Sequence, residues 1–151
     1  MSLTLQQISD RIEIQDLMTR YTRAIDTKDY ALLDTCFTQD AWVDYTSSGG
    51  AKGKYPEVRA WLEKALAPFA AMMHAIGSPS VELQGDHART RTYVINPMGF
   101  AKPDGTLHVF TVCAHYVDKL VRTPAGWRIA ERIEETVLMD GTLPEALQIP
   151  S

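Results

Sequence analysis

The sequence predicts an α+β fold, with helices in its first half and a mostly antiparallel sheet in its second. Two observations carry that reading. Apolar residues recur every three to four positions up to Leu66, and from His74 onward they alternate with a period of two. Turn signals rich in Gly, Pro and Asp then cut the alternating half into hairpin-sized pieces. At 151 residues the chain can bury a real core, and no repeat or linker divides it, so one domain over 1–151 is expected.

The first helix carries Ile8, Ile12, Leu17, Met18, Tyr21, Ala24 and Ile25 at helical spacing. Thr4, with Gln7 three residues on, fits a capping box. After a break at Thr27-Lys28, Asp29 can cap a short second helix that buries Tyr30, Leu32, Leu33 and Cys36. Ala41-Trp42-Val43-Asp44-Tyr45 is rich in strand formers and ends in the loop Ser47-Ser48-Gly49-Gly50. Pro56 suits the first position of a third helix striped by Val58, Trp61, Leu62, Ala65 and Leu66. Pro68 interrupts it, so Phe69 to Met73 reads as a separate helical turn or a kinked continuation.

Strands are expected at about 74–84, 87–97, 106–122 and 126–138. Gly85-Asp86, Pro103-Asp104-Gly105 and Thr123-Pro124-Ala125-Gly126 supply the turns. In the third of these strands Phe110, Val112, Ala114 and Tyr116 share one face, and Thr111, Cys113, His115 and Val117 the other. The second face is too apolar to be simply solvated, so pairing with another copy is expected, as a dimer or a trimer. Met139–Ser151, with two prolines, reads as a tail over the surface. A curved sheet covered by helices encloses a concave space, the usual place for a ligand.

Composition narrows the function classes. Hydrophobic residues make up 45% and charged residues 23%, as in an ordinary soluble globular protein. The net charge is −4 and the basic residues are scattered, which argues against nucleic acid or an anionic membrane surface as partner. No stretch approaches the length of a membrane span. Cys36 and Cys113 stand far apart, outside any C-x-x-C pair, so two buried free thiols are expected rather than zinc or thioredoxin-like chemistry. No metal-ligand cluster is visible, and no cofactor is expected. The first residues carry neither a basic nor an apolar targeting segment, so a cytoplasmic location is expected.

Among His74, His87, His108 and His115, only His74 sits inside an apolar run. It reads either as a core histidine satisfied by a backbone carbonyl or as a proton-transferring base. Asp26, at the end of the first helix, reads either as a loop or capping acid or as the carboxylate that orients His74. Tyr21 lies on the apolar stripe of the helix, as core or as pocket wall. Arg132 reads equally as a pocket residue and as half of a surface ion pair. Tyr116 and Phe110 are wall or core, Met98 is an adaptable apolar lining residue, and Glu134-Glu135 reads as a solvated strand end.

Several segments, in order, resemble the SnoaL-like branch of the nuclear transport factor 2-like superfamily. They are Ile14-Gln15-Asp16-Leu17, Ala24-Ile25-Asp26, Phe37-Thr38-Gln39-Asp40-Ala41-Trp42, Met73-His74 and Gly126-Trp127-Arg128-Ile129-Ala130-Glu131-Arg132. The resemblance implies a cone, with three N-terminal helices packed into a curved sheet around an apolar pocket. Two enzyme members, scytalone dehydratase and lindane dehydrochlorinase, remove a proton with an Asp–His pair and no cofactor. Asp26 and His74 match that pair. Arg132 and Trp42 match pocket residues of the dehydrochlorinase, and Tyr45 resembles a carbonyl-binding tyrosine of the dehydratase. The leaving-group side departs from both: Tyr21 stands where one has a lysine, Met98 where the other has a histidine, and Cys113 near an asparagine.

The resemblance therefore implies a cofactor-independent lyase or isomerase, dehydratase- or dehydrohalogenase-like, acting on an apolar cyclic small molecule. His74 would be its base, with Tyr45, Tyr21 or Arg132 steadying the developing charge. The superfamily also holds non-catalytic members, so the alternative is a small-molecule-binding or accessory subunit of the same fold.

Overall fold

In the computed structural model, residues 2–142 are described. Helix α1 (Leu5–Asp26) begins with the expected capping box. Thr4 Oγ1 accepts from the Gln7 N–H at 3.2 Å, and Gln7 Oε1 accepts from the Thr4 N–H at 2.9 Å. Its buried stripe is Asp10, Ile14, Leu17, Met18, Tyr21, Ala24 and Ile25, whereas Ile8 and Ile12 point to solvent. An apolar periodicity cannot register Asp10, an acid that is buried because it is paired. Its carboxylate accepts from both terminal nitrogens of Arg122 at 2.7 and 2.8 Å and from Trp127 Nε1 at 3.3 Å.

Asp29 caps α2 (Tyr30–Asp34) through the Leu32 N–H, as its position predicts. Strand β1 (Phe37–Asp44) then leads through a 3-10 turn (Thr46–Ser48) to β2 (Lys52–Lys54), a short strand just after the expected loop. Helix α3 (Tyr55–Ala65) follows, with Pro56 in its first turn.

Phe69 to Met73 does not continue the helix. Residues Phe69–Met72 form β3, pairing Phe69 with Phe100 and Met72 with Met98. A proline stops α3, and an unpaired sheet edge next to the chain supplies the backbone partners that a single helical turn could not. The expected strand at 74–84 is two pieces, β4 (Ala75–Ile76) and β5 (Ser80–Gln84). Then come β6 (His87–Ala101), β7 (Leu107–Thr123) and β8 (Gly126–Asp140). Strand β6 runs past Pro97, whose carbonyl still accepts from the Met73 N–H at 3.1 Å on the edge side and whose missing N–H falls where the edge pairing passes from β3 to β4. Met139 and Asp140 pair with Val112 and Thr111, so the expected tail begins later, and residues 143–151 lie outside the described residues.

The sheet runs β2-β1-β8-β7-β6-β3, with β4 and β5 following β3 along the same edge of β6. Among the described residues only β1 and β8 pair in parallel. This open sheet curves around α1 and α3, and its inner face, including Phe110, Val112, Ala114 and Tyr116 of β7, forms the core with them.

On the outer face Thr111, Cys113, His115 and Val117 are half-buried, while Tyr93, Ile95, Val137 and Leu138 are mostly exposed. This is the face that the sequence assigns to a second copy. Both cysteines are free; Cys36 is buried, but Cys113 is half-exposed because β7 turns it outward. Among the described residues no helix is long and apolar enough to cross a membrane.

Strand β8 holds two irregularities that decide what faces inward. Its register against β7 shifts at Ala130 and again at Val137. Trp127 and Ile129 point into the core, and strict alternation would continue with Glu131 and Ile133. The extra residue at Ala130 reverses the phase, so Arg132 and Glu134 are buried instead.

Candidate active site

Asp26 is the last residue of α1, where the helix dipole disfavours a carboxylate. Lys28, in a left-handed conformation just beyond, anchors that helix end by donating from Nζ to the carbonyls of Ala67 and Phe69 at 3.3 and 2.8 Å. The anchor brings Asp26 to the break between β3 and β4, which is occupied by His74. On either side of it the edge ladder is intact: the Met73 N–H bonds to Pro97 and the Gly77 N–H to Tyr93. The His74 N–H instead donates to Asp26 Oδ2 at 2.9 Å, and His74 Nδ1 lies 2.6 Å from Asp26 Oδ1. A carboxylate accepts, so Nδ1 carries the proton and Nε2 is left with a free lone pair. The expected Asp26–His74 pair is thus brought together, with the imidazole almost wholly buried.

His74 lines a cavity of about 700 Å³ between the sheet, α1 and α3, a volume that suits a small-molecule ligand. Ile25, Trp61, Leu62, Leu66, Phe69, Met98, Phe110 and Val112 make most of its wall apolar. The polar lining residues besides His74 are Tyr21, Tyr45, Tyr116, Asn96 and Glu134, with Ser48 at the turn and Lys64 on α3. The Tyr21 and Tyr45 hydroxyls share a 2.8 Å hydrogen bond. The Tyr21 ring meets those of His74 and Tyr116 edge-on, with centroids 6.3 and 5.6 Å apart. Burial raises the Tyr21 pKa and holds Tyr45 and Tyr116 well above the ordinary phenol value. All three are therefore neutral hydrogen-bond donors.

Two of the expected pocket residues lie elsewhere. Arg132 is fully buried but stands behind the tyrosines, not on the cavity wall. Its guanidinium carbon is 4.0 and 4.1 Å from the ring centres of Tyr21 and Tyr116, and Nε and Nη2 donate to both oxygens of Asp118 at 2.8 and 2.7 Å. It is neither a pocket residue nor half of a surface pair but a buried ion pair supporting the tyrosine wall, since Asp118 is its cross-strand partner. Trp42 is 39% exposed: Ala41 and Val43 are the inward residues of β1, so alternation turns the tryptophan out. Tyr21, Tyr45, Tyr116, Met98 and Phe110 all line the cavity with His74.

Glu134 also lines the cavity, and reading Glu134-Glu135 as a solvated strand end misplaces it. The Ala130 bulge accounts for the error. The apolar alternation gives no signal of it, because Ile133 and Val137 keep the parity of Trp127 and Ile129 and suggest an unbroken strand. Among the described residues no cluster of three or more His, Cys, Asp or Glu side chains is arranged to hold a metal ion.

Comparison with known proteins places this geometry in context. The profile of the SnoaL-like domain matches residues 6–133. The uncharacterized protein Rv2910c of Mycobacterium tuberculosis (strain H37Rv) is 43% identical over 133 residues, covering 87% of this chain and 88% of that one. Among solved structures, a candidate aromatic ring hydroxylase from Novosphingobium aromaticivorans superposes with a TM-score of 0.80 at 29% identity, covering 89% of this chain and 94% of that one. A candidate scytalone dehydratase from the same species superposes with a TM-score of 0.78 at 19% identity, covering 95% and 94%. The hexachlorocyclohexane dehydrochlorinase LinA, type 2, gives 0.78 at 19% identity, covering 92% and 93%. At 19% identity the last two bear on the fold alone, a cone of the nuclear transport factor 2-like kind.

Proposed function

The chain belongs to the SnoaL-like domain family, and we propose that it is a lyase or isomerase that removes a proton from carbon next to an activating carbonyl in an apolar, cyclic small molecule. The observation that carries this reading is the double engagement of His74 by Asp26. A carboxylate that accepts from Nδ1 sets the tautomer, leaves Nε2 as the base, and offsets the positive charge that appears when the proton is taken. The base and the donors are supplied by the chain itself, so the step needs no cofactor.

The three neutral tyrosines complete the site. Proton removal next to a carbonyl puts negative charge on the carbonyl oxygen, and fixed phenol donors in a mostly apolar cavity stabilise that charge without reorganising. Of the three, Tyr21 and Tyr45 present hydroxyls that are already paired with one another, so a ligand oxygen can receive a cooperative bond. The apolar remainder of the wall favours a ring with few polar substituents.

The test is base-catalysed exchange. Cyclohexanone in deuterated buffer, followed by proton NMR, should exchange its α-protons faster with the wild-type protein than with His74→Ala or Asp26→Asn. Equal rates for all three would sink the dyad as a base.

A second reading is favoured by the exposed apolar outer face of the sheet and by the name of the ring-hydroxylase neighbour. Under it, the chain is a pocket-bearing accessory subunit. That reading expects ligand binding without exchange and unchanged assembly in His74→Ala.

A further inference from the structure

Three acids with little exposure lie in the interior: Asp10, Asp118 and Glu134. Two are matched to arginines, Asp10 to Arg122 and Asp118 to Arg132. Glu134 is different. It is 9% exposed, it is the one of the three that lines the cavity, and its Oε1 is shielded from solvent without a hydrogen-bond partner among the described residues. An unpaired buried polar oxygen costs stability, so its retention calls for a reason.

The backbone holds it in place. The Ala130 bulge turns Glu134 inward opposite Tyr116. One residue pair further on, the 3-10 turn clamps the strand: Ser47 Oγ donates to the Glu134 carbonyl at 2.7 Å and accepts from the Thr136 N–H at 3.1 Å. The charged groups around the carboxyl are Arg132 and Asp44, the titratable ones are His74, Tyr21, Tyr45 and Tyr116, and the Ser48 hydroxyl lies beside it. Burial pushes its pKa up, and the Ser48 hydroxyl, His74 and Arg132, in that order, only partly oppose that. A protonated carboxyl has one O–H to give, and a ligand in the cavity that Glu134 lines can accept it.

We propose that Glu134 is the acid of this site, donating its proton to the leaving hydroxyl of a β-hydroxy carbonyl substrate while His74 takes the α-proton. The proposal rests on the dyad reading given above. In the step, the α C–H bond breaks and its proton passes to His74 Nε2, while its electron pair forms the new C=C bond. The β C–O bond breaks with its electrons on oxygen, and the Glu134 proton joins that oxygen to give water. One proton then returns from His74 to Glu134 through solvent. The net change is loss of water, with no oxidation or reduction. Hydroxide is a poor leaving group and needs that proton, whereas a halide does not, so the acid selects dehydration.

Two measurements test the assignment. The first needs no turnover: the infrared difference spectrum of wild type against Glu134→Gln at neutral pH should contain the carbonyl band of a protonated carboxyl. Its absence would show an ionised Glu134 and overturn the proposal. The second compares water loss from 3-hydroxycyclohexanone, read as enone absorbance, with α-proton exchange in cyclohexanone. Glu134→Gln should slow water loss by about 10²- to 10⁴-fold, the usual contribution of a general acid, and slow exchange far less. Equal losses in both, or no loss of dehydration, would remove Glu134 as the acid. If the wild-type protein catalyses no exchange at all, the dyad reading fails and takes the acid with it, a result distinct from failure of Glu134 alone.

Discussion

Asp26 holds His74 at two points, the ring Nδ1 at 2.6 Å and the backbone N–H at 2.9 Å, so one carboxylate orients both the imidazole and the segment that carries it. Asp26→Asn separates these duties. An asparagine oxygen can still accept from the backbone N–H, but its NH₂ cannot accept from Nδ1, and the charge that balances imidazolium is gone. The fold should persist by circular dichroism while exchange of cyclohexanone α-protons falls by about 10²- to 10⁴-fold. A variant that exchanges as fast as wild type would show that the pair is structural.

Much of this arrangement is legible in the sequence, and the exceptions have physical causes. The capping box at Thr4 and Gln7, the Asp29 cap and the alternation of β7 depend on neighbours within a few residues, so local pattern suffices. Strand β3 depends on an unpaired edge of β6 that lies some thirty residues away in the chain, and residues 69–72 alone cannot announce it. Asp26 and His74 are 48 residues apart, and only the resemblance to a family joins them in advance. Buried acids escape a search for apolar stripes altogether, as Asp10 shows. Glu134 escapes for another reason: one inserted residue, Ala130, inverts the inside–outside reading of the stretch up to the second shift at Val137.

The buried pair Arg132–Asp118 should behave as a unit. Removing one partner leaves an uncompensated charge shielded from solvent, so Asp118→Asn or Arg132→Met alone should cost about 3–5 kcal/mol in urea unfolding. Arg132→Lys should not rescue it, because an ammonium cannot span both carboxylate oxygens while lying flat between Tyr21 and Tyr116. The double variant Arg132→Met, Asp118→Leu should recover most of the loss. If both single variants were as stable as wild type, the pair would contribute nothing to holding the tyrosine wall.

Gly50 sits against Tyr45 so closely that a side chain there must move it. A Cβ at Gly50 would lie 2.7 Å from Tyr45 Cβ and 2.9 Å from the Tyr45 carbonyl oxygen, and backbone cannot swing aside as a flexible side chain can. Gly50→Ala should therefore cost about 1–3 kcal/mol as overpacking and, by shifting Tyr45 away from Tyr21, slow proton exchange. Thermal unfolding and the cyclohexanone assay read the two effects separately. Unchanged exchange in a destabilised Gly50→Ala protein would mean that the Tyr45 hydroxyl takes no part in stabilising the oxyanion.

Glu134 gives a pH dependence that needs no substrate. Its folded-state pKa is raised, so below the unfolded value of about 4.3 the carboxyl is neutral in both states and costs little. As pH rises through that value the unfolded chain ionises while the folded one resists, and stability falls until the folded pKa is passed. Each pKa unit between the two states is worth about 1.4 kcal/mol. Glutamine cannot ionise, so Glu134→Gln should match wild type near pH 4 and gain on it as pH rises, until the raised folded-state pKa is passed. Urea unfolding of both proteins across that range checks it. A difference that is flat with pH, or that grows toward acid, would mean that Glu134 is ionised in the folded protein and has no proton to deliver.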